Sequence, residues 1–275
     1  MACAECFTGT LHSGTPAGRE ATVHGLPTYI ASPPSGVSPK GLVIILSDAF
    51  GWSLVNTRIL ADAYAKKGNF LVYLPDVMGG HALSPRMFQL FHELTADGTW
   101  WAALWKPLAA LQALSLFLPW LFSARASVTK PRMLAFCRAL RAGSVLPLGV
   151  AGFCWGGRYA FHLGTEEGPE GRDGLVDAVF IAHPSLVSLP GDVAGVRCPV
   201  SVAVGDKDHQ MPPPKIEVLR EVLSKKAEVE HEVVVYEGAT HGFAVRESPD
   251  VEKERQQGLE AEDQAVNWFT KWLAS

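Results

Sequence analysis

Short apolar runs rich in β-branched residues alternate with helix-like stretches along most of this chain. The predicted strands are 42–46, 69–76, 146–151, 177–183, 199–205 and 231–238. Helical patterns lie between and after them, at 56–67, 131–141, 212–226 and 249–273. This alternation is typical of an α/β fold with a mostly parallel sheet covered by helices on both faces. The run 22–31 contains Pro27 and predicts an edge strand.

The strand predicted at 146–151 ends in the sequence Gly-Phe-Cys-Trp-Gly-Gly, residues 152–157, and a helical pattern follows at once. This is the nucleophile-elbow pattern G-x-S-x-G with cysteine in place of serine. A Cβ at Gly152 or Gly156 would collide with neighbouring backbone in so sharp a turn. The positive end of the helix then lies beside the sulfur and favours thiolate. We interpret Cys154 as a nucleophile; the alternative is a buried structural cysteine.

A thiolate nucleophile needs a base, and the base needs an acid that orients it. After an elbow these follow in the order nucleophile, acid, histidine. Two aspartates, Asp206 and Asp208, follow the strand 199–205. Asp208 is favoured because it resembles the acid of elbow hydrolases, three residues past the strand-ending glycine and followed by a turn with Pro212. His241 follows the strand 231–238 and is the predicted base. We interpret His183 as a packing or surface residue, although it ends a predicted strand and could approach the site.

The oxyanion of an acyl transfer needs two N–H donors. We predict that these are the amides of Trp155, directly after the nucleophile, and of Ala49, in the loop after the strand 42–46. Asp48, next to Ala49, is either a turn cap or a carboxylate that contacts the thiol. The predicted substrate-binding residues are the aromatic residues Phe50, Trp52 and Phe243.

Residues 77–130 form an unusually long connection, since about 2 to 6 residues normally join such elements. Their centre, residues 100–122, is apolar and contains four tryptophans. Lys106, Pro107 and Pro119 interrupt this stretch, so it lacks the ~20 uninterrupted apolar residues of a membrane span. We predict a helical cap over the carboxyl ends of the strands, where α/β proteins bind ligands. A contact in a homodimer or with a membrane surface is the alternative.

A single domain, 1–275, is expected, because no linker or repeat divides the chain.

The composition of the chain excludes some classes of function and of binding partner. A net charge of −4 gives no case for nucleic-acid binding. Five scattered cysteines form no disulfide framework and no signal peptide is visible, which favours the cytoplasm. Cys3, Cys6 and His12 could supply half a zinc site, but no second pair stands at ligand spacing, so we expect no metal and no cofactor.

Together, the elbow, the loop at Phe50, the turn at Asp208 and the His-Gly-Phe-Ala sequence at 241–244 resemble the dienelactone hydrolase family of α/β-hydrolases. The resemblance covers roughly residues 22–272, and the first forty residues look like those of fungal members. It implies a Cys-Asp-His triad that hydrolyses a small-molecule ester or lactone through an acyl-thioester, without a metal. The bacterial enzymes carry a glutamate where this chain has Asp48.

Bacterial members also bind the substrate carboxylate with an arginine two residues after the phenylalanine of the His-Gly-Phe motif. That position is Val245 in this chain, and Arg246 comes one residue later. Because a one-residue shift in a strand turns a side chain to the other face, we expect Arg246 to point elsewhere. A small dicarboxylate is therefore not the expected substrate. The apolar, Trp-rich cap instead suggests a larger and less charged one, such as an aromatic or polyketide-derived ester, lactone or thioester. The alternatives are an acyltransferase or thioesterase in secondary metabolism, or a ligand-binding protein on the same scaffold.

Overall fold

One eight-stranded sheet forms the centre of the molecule. The computed structural model describes residues 9–95, 100–169 and 173–273. Across the sheet the strand order is β1-β2-β4-β3-β5-β6-β7-β8. The strands are β1 Arg19–Val23, β2 Leu26–Ala31, β3 Gly41–Leu46, β4 Phe70–Pro75, β5 Leu148–Phe153, β6 Ala178–Ala182, β7 Val200–Gly205 and β8 His231–Tyr236. All pairings from β4 to β8 are parallel, whereas β2 pairs antiparallel with both β1 and β4.

Helices cover both faces of this sheet, as the alternating pattern predicts. They are α1 Val55–Gly68, α2 Arg86–Thr95, α3 Trp100–Ser123, α4 Ala126–Ala142, α5 Trp155–Thr165, α6 Pro213–Ser224 and α7 Glu252–Leu273. Gly149 and Gly152, three residues apart on β5, face opposite sides of the sheet. Phe269 of α7 lies over the first and Ala160 of α5 over the second. The predicted α/β class is confirmed.

The order of the strands creates a crevice at the carboxyl ends of β3 and β5. These two strands are neighbours, but the chain passes from β3 to β4 on one side and returns to β5 on the other. The loops that leave β3 and β5 therefore diverge, which is where doubly wound sheets bind their ligands. Both Asp48 and Cys154 stand on these loops.

The predicted edge strand 22–31 is wrong in its boundaries. The chain reverses at His24 and Gly25, whose φ angles are 46° and 82°, and forms the hairpin β1–β2. Two consecutive residues with positive φ match the twist of a two-residue hairpin, a geometry that a glycine favours. As a result β2, with Pro27, lies between β1 and β4. Of the two hairpin strands, β1 is the one at the edge of the sheet.

The long connection 77–130 folds into α2, α3 and the first residues of α4. Its beginning is fastened to the loop after β3, because the Leu83 amide donates to the Ala49 carbonyl at 2.8 Å. The Phe88 ring of α2 lies 4.4 Å from that of Phe50, and α3 packs against α2. Within the described ranges, no single helix is long and apolar enough to span a membrane; Trp105–Ser123 and Ala126–Ala142, bent by 56°, pass together by length and composition.

Candidate active site

The elbow holds Cys154 in a strained conformation, with φ 50° and ψ −113°, directly before the first residue of α5. A Cβ at Gly152 would lie 2.7 Å from the Gly156 carbonyl oxygen, and one at Gly156 would lie 2.2 Å from the Leu46 carbonyl oxygen. The predicted need for glycine at both positions is therefore confirmed. This close approach also brings the end of β3 against the start of α5.

The loops that follow β7 and β8 meet beside the sulfur. They approach so closely that a Cβ at Gly205 would lie 2.1 Å from the Ala239 carbonyl oxygen. Asp208 Oδ2 is 2.9 Å from His241 Nδ1, and His241 Nε2 is 3.0 Å from Cys154 Sγ. All three side chains are buried. The structure thus joins the three residues that the sequence predicts as nucleophile, base and acid in one hydrogen-bonded chain.

The two candidate aspartates are distinguished by their hydrogen-bond partners. Asp208 accepts from the Gln210 amide at 2.8 Å through its other oxygen, which fixes the carboxylate toward His241. Asp206 instead accepts from the Gly238 amide at 2.6 Å and stabilises the turn after β8. Asp208 is therefore the aspartate that can orient the imidazole.

The charges of Asp208 and Cys154 affect the protonation of His241. Burial alone would lower the pKa of its imidazole, but the Cys154 sulfur and the Asp208 carboxylate outweigh burial and raise the pKa to about 10. The coupled pair therefore favours an imidazolium beside a thiolate. An imidazolium 3.0 Å from the sulfur favours the thiolate of Cys154.

An ion pair between Asp48 and Arg246 lies close to the thiol, and both side chains are buried. Asp48 also accepts from the Phe50 amide at 2.9 Å. Burial raises the pKa of the Asp48 carboxyl, Arg246 lowers it and the Cys154 thiolate raises it, with a net increase. Asp48 is thus buried, it caps the turn at Phe50, and the Cys154 sulfur affects its pKa; a direct contact with the thiol stays a prediction.

The predicted displacement of Arg246 is wrong, because its backbone is not a strand. The amides of Val245 and Arg246 both donate to the Gly242 carbonyl oxygen, at 3.0 and 2.8 Å. These bonds form a helical turn, in which the alternation of side chains along a strand does not apply. The turn carries the guanidinium inward to Asp48.

Two further polar residues reach the site from the loop after β6. Ser185 Oγ lies 3.6 Å from Cys154 Sγ, and the Ser185 amide donates to the Cys154 carbonyl oxygen at 2.9 Å. The His183 ring centroid is 5.2 Å from that of His241, and burial lowers the pKa of His183, which keeps it neutral. The sequence shows that both residues follow a predicted strand, and the structure adds that this strand, β6, is the neighbour of β5.

The remaining predicted residues occupy different surroundings. Trp155 opens α5 and Ala49 is buried in the loop after β3, on adjacent sides of the elbow. Phe50 is buried against Phe88, and Phe243 is buried between His183 and Tyr236. The Trp52 ring packs 4.9 Å from the guanidinium of Arg58 and does not join this cluster. Substrate contacts by Phe50, Trp52 and Phe243 stay predictions.

Metal ligation finds no support in the part of the chain that the structure describes. No group of three or more His, Cys, Asp or Glu side chains there is arranged to hold an ion. Cys3 and Cys6, which could have supplied half a zinc site, lie outside the described residues.

Comparisons with known proteins identify the family of this chain. The sequence profile described as the dienelactone hydrolase family matches residues 26–273. Among curated proteins, the hydrolase tropI of Talaromyces stipitatus is 28% identical over 98% of this chain and 95% of its own length. The hydrolase pyvD of Aspergillus violaceofuscus is 26% identical over 98% and 96%, and the human carboxymethylenebutenolidase homolog is 25% identical over 93% and 91%.

Solved structures support the same fold. A putative dienelactone hydrolase from Klebsiella pneumoniae superposes with a TM-score of 0.67 at 21% identity, covering 93% of this chain and 98% of that one. The dienelactone hydrolase from Anabaena variabilis gives a TM-score of 0.61 at 17% identity, covering 93% and 99%. The architecture is the α/β-hydrolase fold, and the profile match extends over nearly the whole chain. The chain belongs to the dienelactone hydrolase family.

Proposed function

We propose that this protein is a cysteine-dependent hydrolase of esters or lactones that works through an acyl-thioester. The observation that carries the proposal is the buried chain from Asp208 through His241 to the Cys154 sulfur, with contacts of 2.9 and 3.0 Å. Family membership supports ester or lactone hydrolysis in general. The assignment of the cysteine as nucleophile rests on this geometry.

In the proposed reaction the Cys154 thiolate attacks the substrate carbonyl carbon, and the carbonyl electrons move to the oxygen. The amides of Trp155 and Ala49 donate to this oxyanion. As the tetrahedral intermediate collapses, the imidazolium of His241 gives its proton to the leaving alkoxide. Neutral His241 then accepts a proton from water, the hydroxide attacks the thioester, and the carboxylic acid leaves while the thiolate returns.

Asp208 and Asp48 support these steps in different ways. Asp208 holds the Nδ1–H tautomer of His241 and stabilises its positive charge. Asp48, beside the thiol and paired with Arg246, contributes negative charge near the sulfur. Burial and the Cys154 sulfur raise the pKa of Asp48, and Arg246 lowers it, so the ion pair limits the increase.

Two observations support a fairly apolar or aromatic substrate. Arg246 is buried in its ion pair with Asp48 and is not displayed to a substrate carboxylate. The connection 77–130 sets Phe88 of α2 against Phe50, next to the loop that carries Ala49. A preference of the purified protein for small anionic lactones over bulky neutral esters would contradict this part of the proposal.

Acyl transfer, including thioester cleavage in secondary metabolism, is the second candidate, because an alcohol or amine can replace water at the same acyl-enzyme. A ligand-binding protein on the same scaffold is the third, and the complete Asp208–His241–Cys154 chain argues against it. A thiol nucleophile functions in a reducing compartment, so we propose a cytoplasmic location.

The test compares hydrolysis of p-nitrophenyl esters of increasing chain length by the wild type, Cys154→Ala and the control Cys198→Ala. Burial raises the pKa of Cys198 to about 12, so its thiol is inert at neutral pH. We expect Cys154→Ala to lower kcat by about 10⁴-fold or more and the control to keep its activity. Full turnover by Cys154→Ala would overturn the proposal.

A further inference from the structure

The helix α3 turns an apolar face away from the rest of the described chain. From residue 105 onward, where its side chains are described, seven large apolar ones are exposed, from 40% for Leu118 to 68% for Trp105. We call these residues the outer face of α3: Trp105, Leu108, Leu111, Leu114, Leu118, Leu121 and Phe122. Most follow one another at three or four residues, so they form a continuous stripe along the helix.

The opposite side of α3 supplies its packing. Ala109 and Trp120 are buried, and Leu116 and Phe117 pack partly against the core. A surface helix of a globular protein normally carries polar residues on its outward side. Here the helix is apolar on both sides, and an exposed apolar stripe of this length marks an interaction surface.

Two basic residues flank this stripe, and the sequence of α3 itself contains no aspartate or glutamate. Four of the other basic residues before Glu166 are held in ion pairs elsewhere, Lys130 and Arg138 with Glu166, Arg141 with Asp177 and Arg158 with Asp192. Lys106 stands near one end of the outer face. Arg125 stands beyond the other, with its guanidinium 5.2 Å from the ring of Phe122. The chain as a whole has a net charge of −4, so this basic character is local.

We propose that the outer face of α3 docks on a lipid surface that contains anionic headgroups. The face extends from Trp105 to Phe122, about 26 Å at 1.5 Å per residue, and would lie flat in the interface. Its leucines enter the acyl boundary, while the basic residues at its ends meet the phosphates. An indole such as that of Trp105 is favoured at headgroup level.

Two alternatives fit the structure less well. A span formed by α3 with α4 would pull α4 out of the core, where Met133, Phe136 and Leu140 are buried. A second copy of the chain would bring the same acid-free, basic segment against itself, whereas an anionic bilayer offers the opposite charge. The docking proposal uses none of the residues that we assign to catalysis, so it stands or falls independently of the proposed function.

The test is co-sedimentation of the full-length protein with vesicles of phosphatidylcholine containing about 30 mol % phosphatidylserine, and with pure phosphatidylcholine as reference. We expect binding to the mixed vesicles that weakens with added salt. The variant Leu111→Asp/Leu118→Asp should bind at least about tenfold more weakly. The matched control is Val218→Asp, which changes an apolar residue of α6 that is 42% exposed.

A second variant guards against misfolding of the first. Arg125→Gln leaves the apolar stripe intact and should weaken binding to the mixed vesicles only, with thermal unfolding checked for every variant. Absence of wild-type binding, or an equal loss with Val218→Asp, would overturn the proposal. So would a wild-type dimer in analytical ultracentrifugation that the double variant abolishes, without vesicle binding, because the face would then join two copies.

Discussion

The floor of the active site and the outer face of α3 break the usual distribution of residues in opposite directions. At the floor, Cys154, His241, Asp208, Asp48 and Arg246 are polar or charged and yet buried. On α3, large apolar side chains are exposed. Burial of a charge is costly unless it is paired, and at the floor each charge has a partner within hydrogen-bond distance.

This difference shows where each region obtains its stability. The floor is complete within one chain, since Asp208 pairs with His241 and Asp48 with Arg246. The outer face of α3 has no such completion among the described residues, and we propose that a lipid surface covers it. Substitutions at the floor should therefore have large effects on the isolated protein, whereas those on α3 should act only when the partner is present.

The largest effect on the isolated protein after removal of the sulfur should come from Asp208→Asn. Loss of the carboxylate leaves His241 in the wrong tautomer, and kcat/KM should fall about 10³- to 10⁴-fold. Because Asp208 raises the pKa of His241, the variant imidazolium is less stable and so is the thiolate. The midpoint of Cys154 alkylation by iodoacetamide should move to higher pH.

The matched control for this variant is Asp206→Asn, two residues away on the same loop. Its carboxylate holds the Gly238 amide and does not touch His241. We expect an unchanged alkylation profile and at most a modest loss of activity. An equal loss of activity in both variants would break the distinction between the two aspartates.

Arg246→Met should produce the next largest effect, on stability. It leaves Asp48 buried without its counter-ion, which costs about 3 to 5 kcal/mol of unfolding free energy. Burial already raises the pKa of Asp48, so the loss should shrink as the pH falls and the carboxyl binds a proton. Urea denaturation at several pH values measures both effects.

The control for the buried pair is Arg255→Met, which removes the exposed pair with Glu252. Exposed pairs are screened by solvent and contribute little to the free energy of unfolding, so this variant should unfold almost as the wild type does. A loss from Arg246→Met no larger than that from Arg255→Met would contradict the view that the floor is held by its own ion pair.

Ser185→Ala should give the smallest effect. Its hydroxyl is 3.6 Å from the sulfur, a longer contact than that of His241, and its loss should slow alkylation of Cys154 about threefold to tenfold. Ser188→Ala, an exposed position on the same loop, is the control. Equal alkylation rates in both variants would remove Ser185 from the site.

The sequence predicted the parts of the site that local backbone geometry dictates. The elbow needs glycine on both sides of Cys154, and the chain order of acid and histidine follows from the strands that carry them. Arg246 was misplaced because its direction depends on a helical turn, which counting along an assumed strand does not reveal. His183 and Ser185 depend on the pairing of β6 with β5, which a sequence pattern does not specify.

In the connection 77–130, too, the sequence pattern predicts the local structure but not how the elements pack. Its helical, apolar nature is visible in the sequence, and so is its insertion before the elbow. Which side of α3 packs and which stays exposed depends on how α2 and α3 meet, because nearly every position of the helix is apolar. Hydrophobic periodicity carries no information where polar residues are absent.

The most direct test of the cysteine mechanism is mass spectrometry of the protein quenched with acid during turnover of a slowly hydrolysed aryl ester. The account predicts an added acyl group on the peptide that contains Cys154, removable by hydroxylamine and absent from Cys154→Ala. In Cys154→Ser the same acyl group should persist as an oxygen ester. Turnover with the acyl group on another residue, or undiminished turnover by Cys154→Ala, would contradict the account.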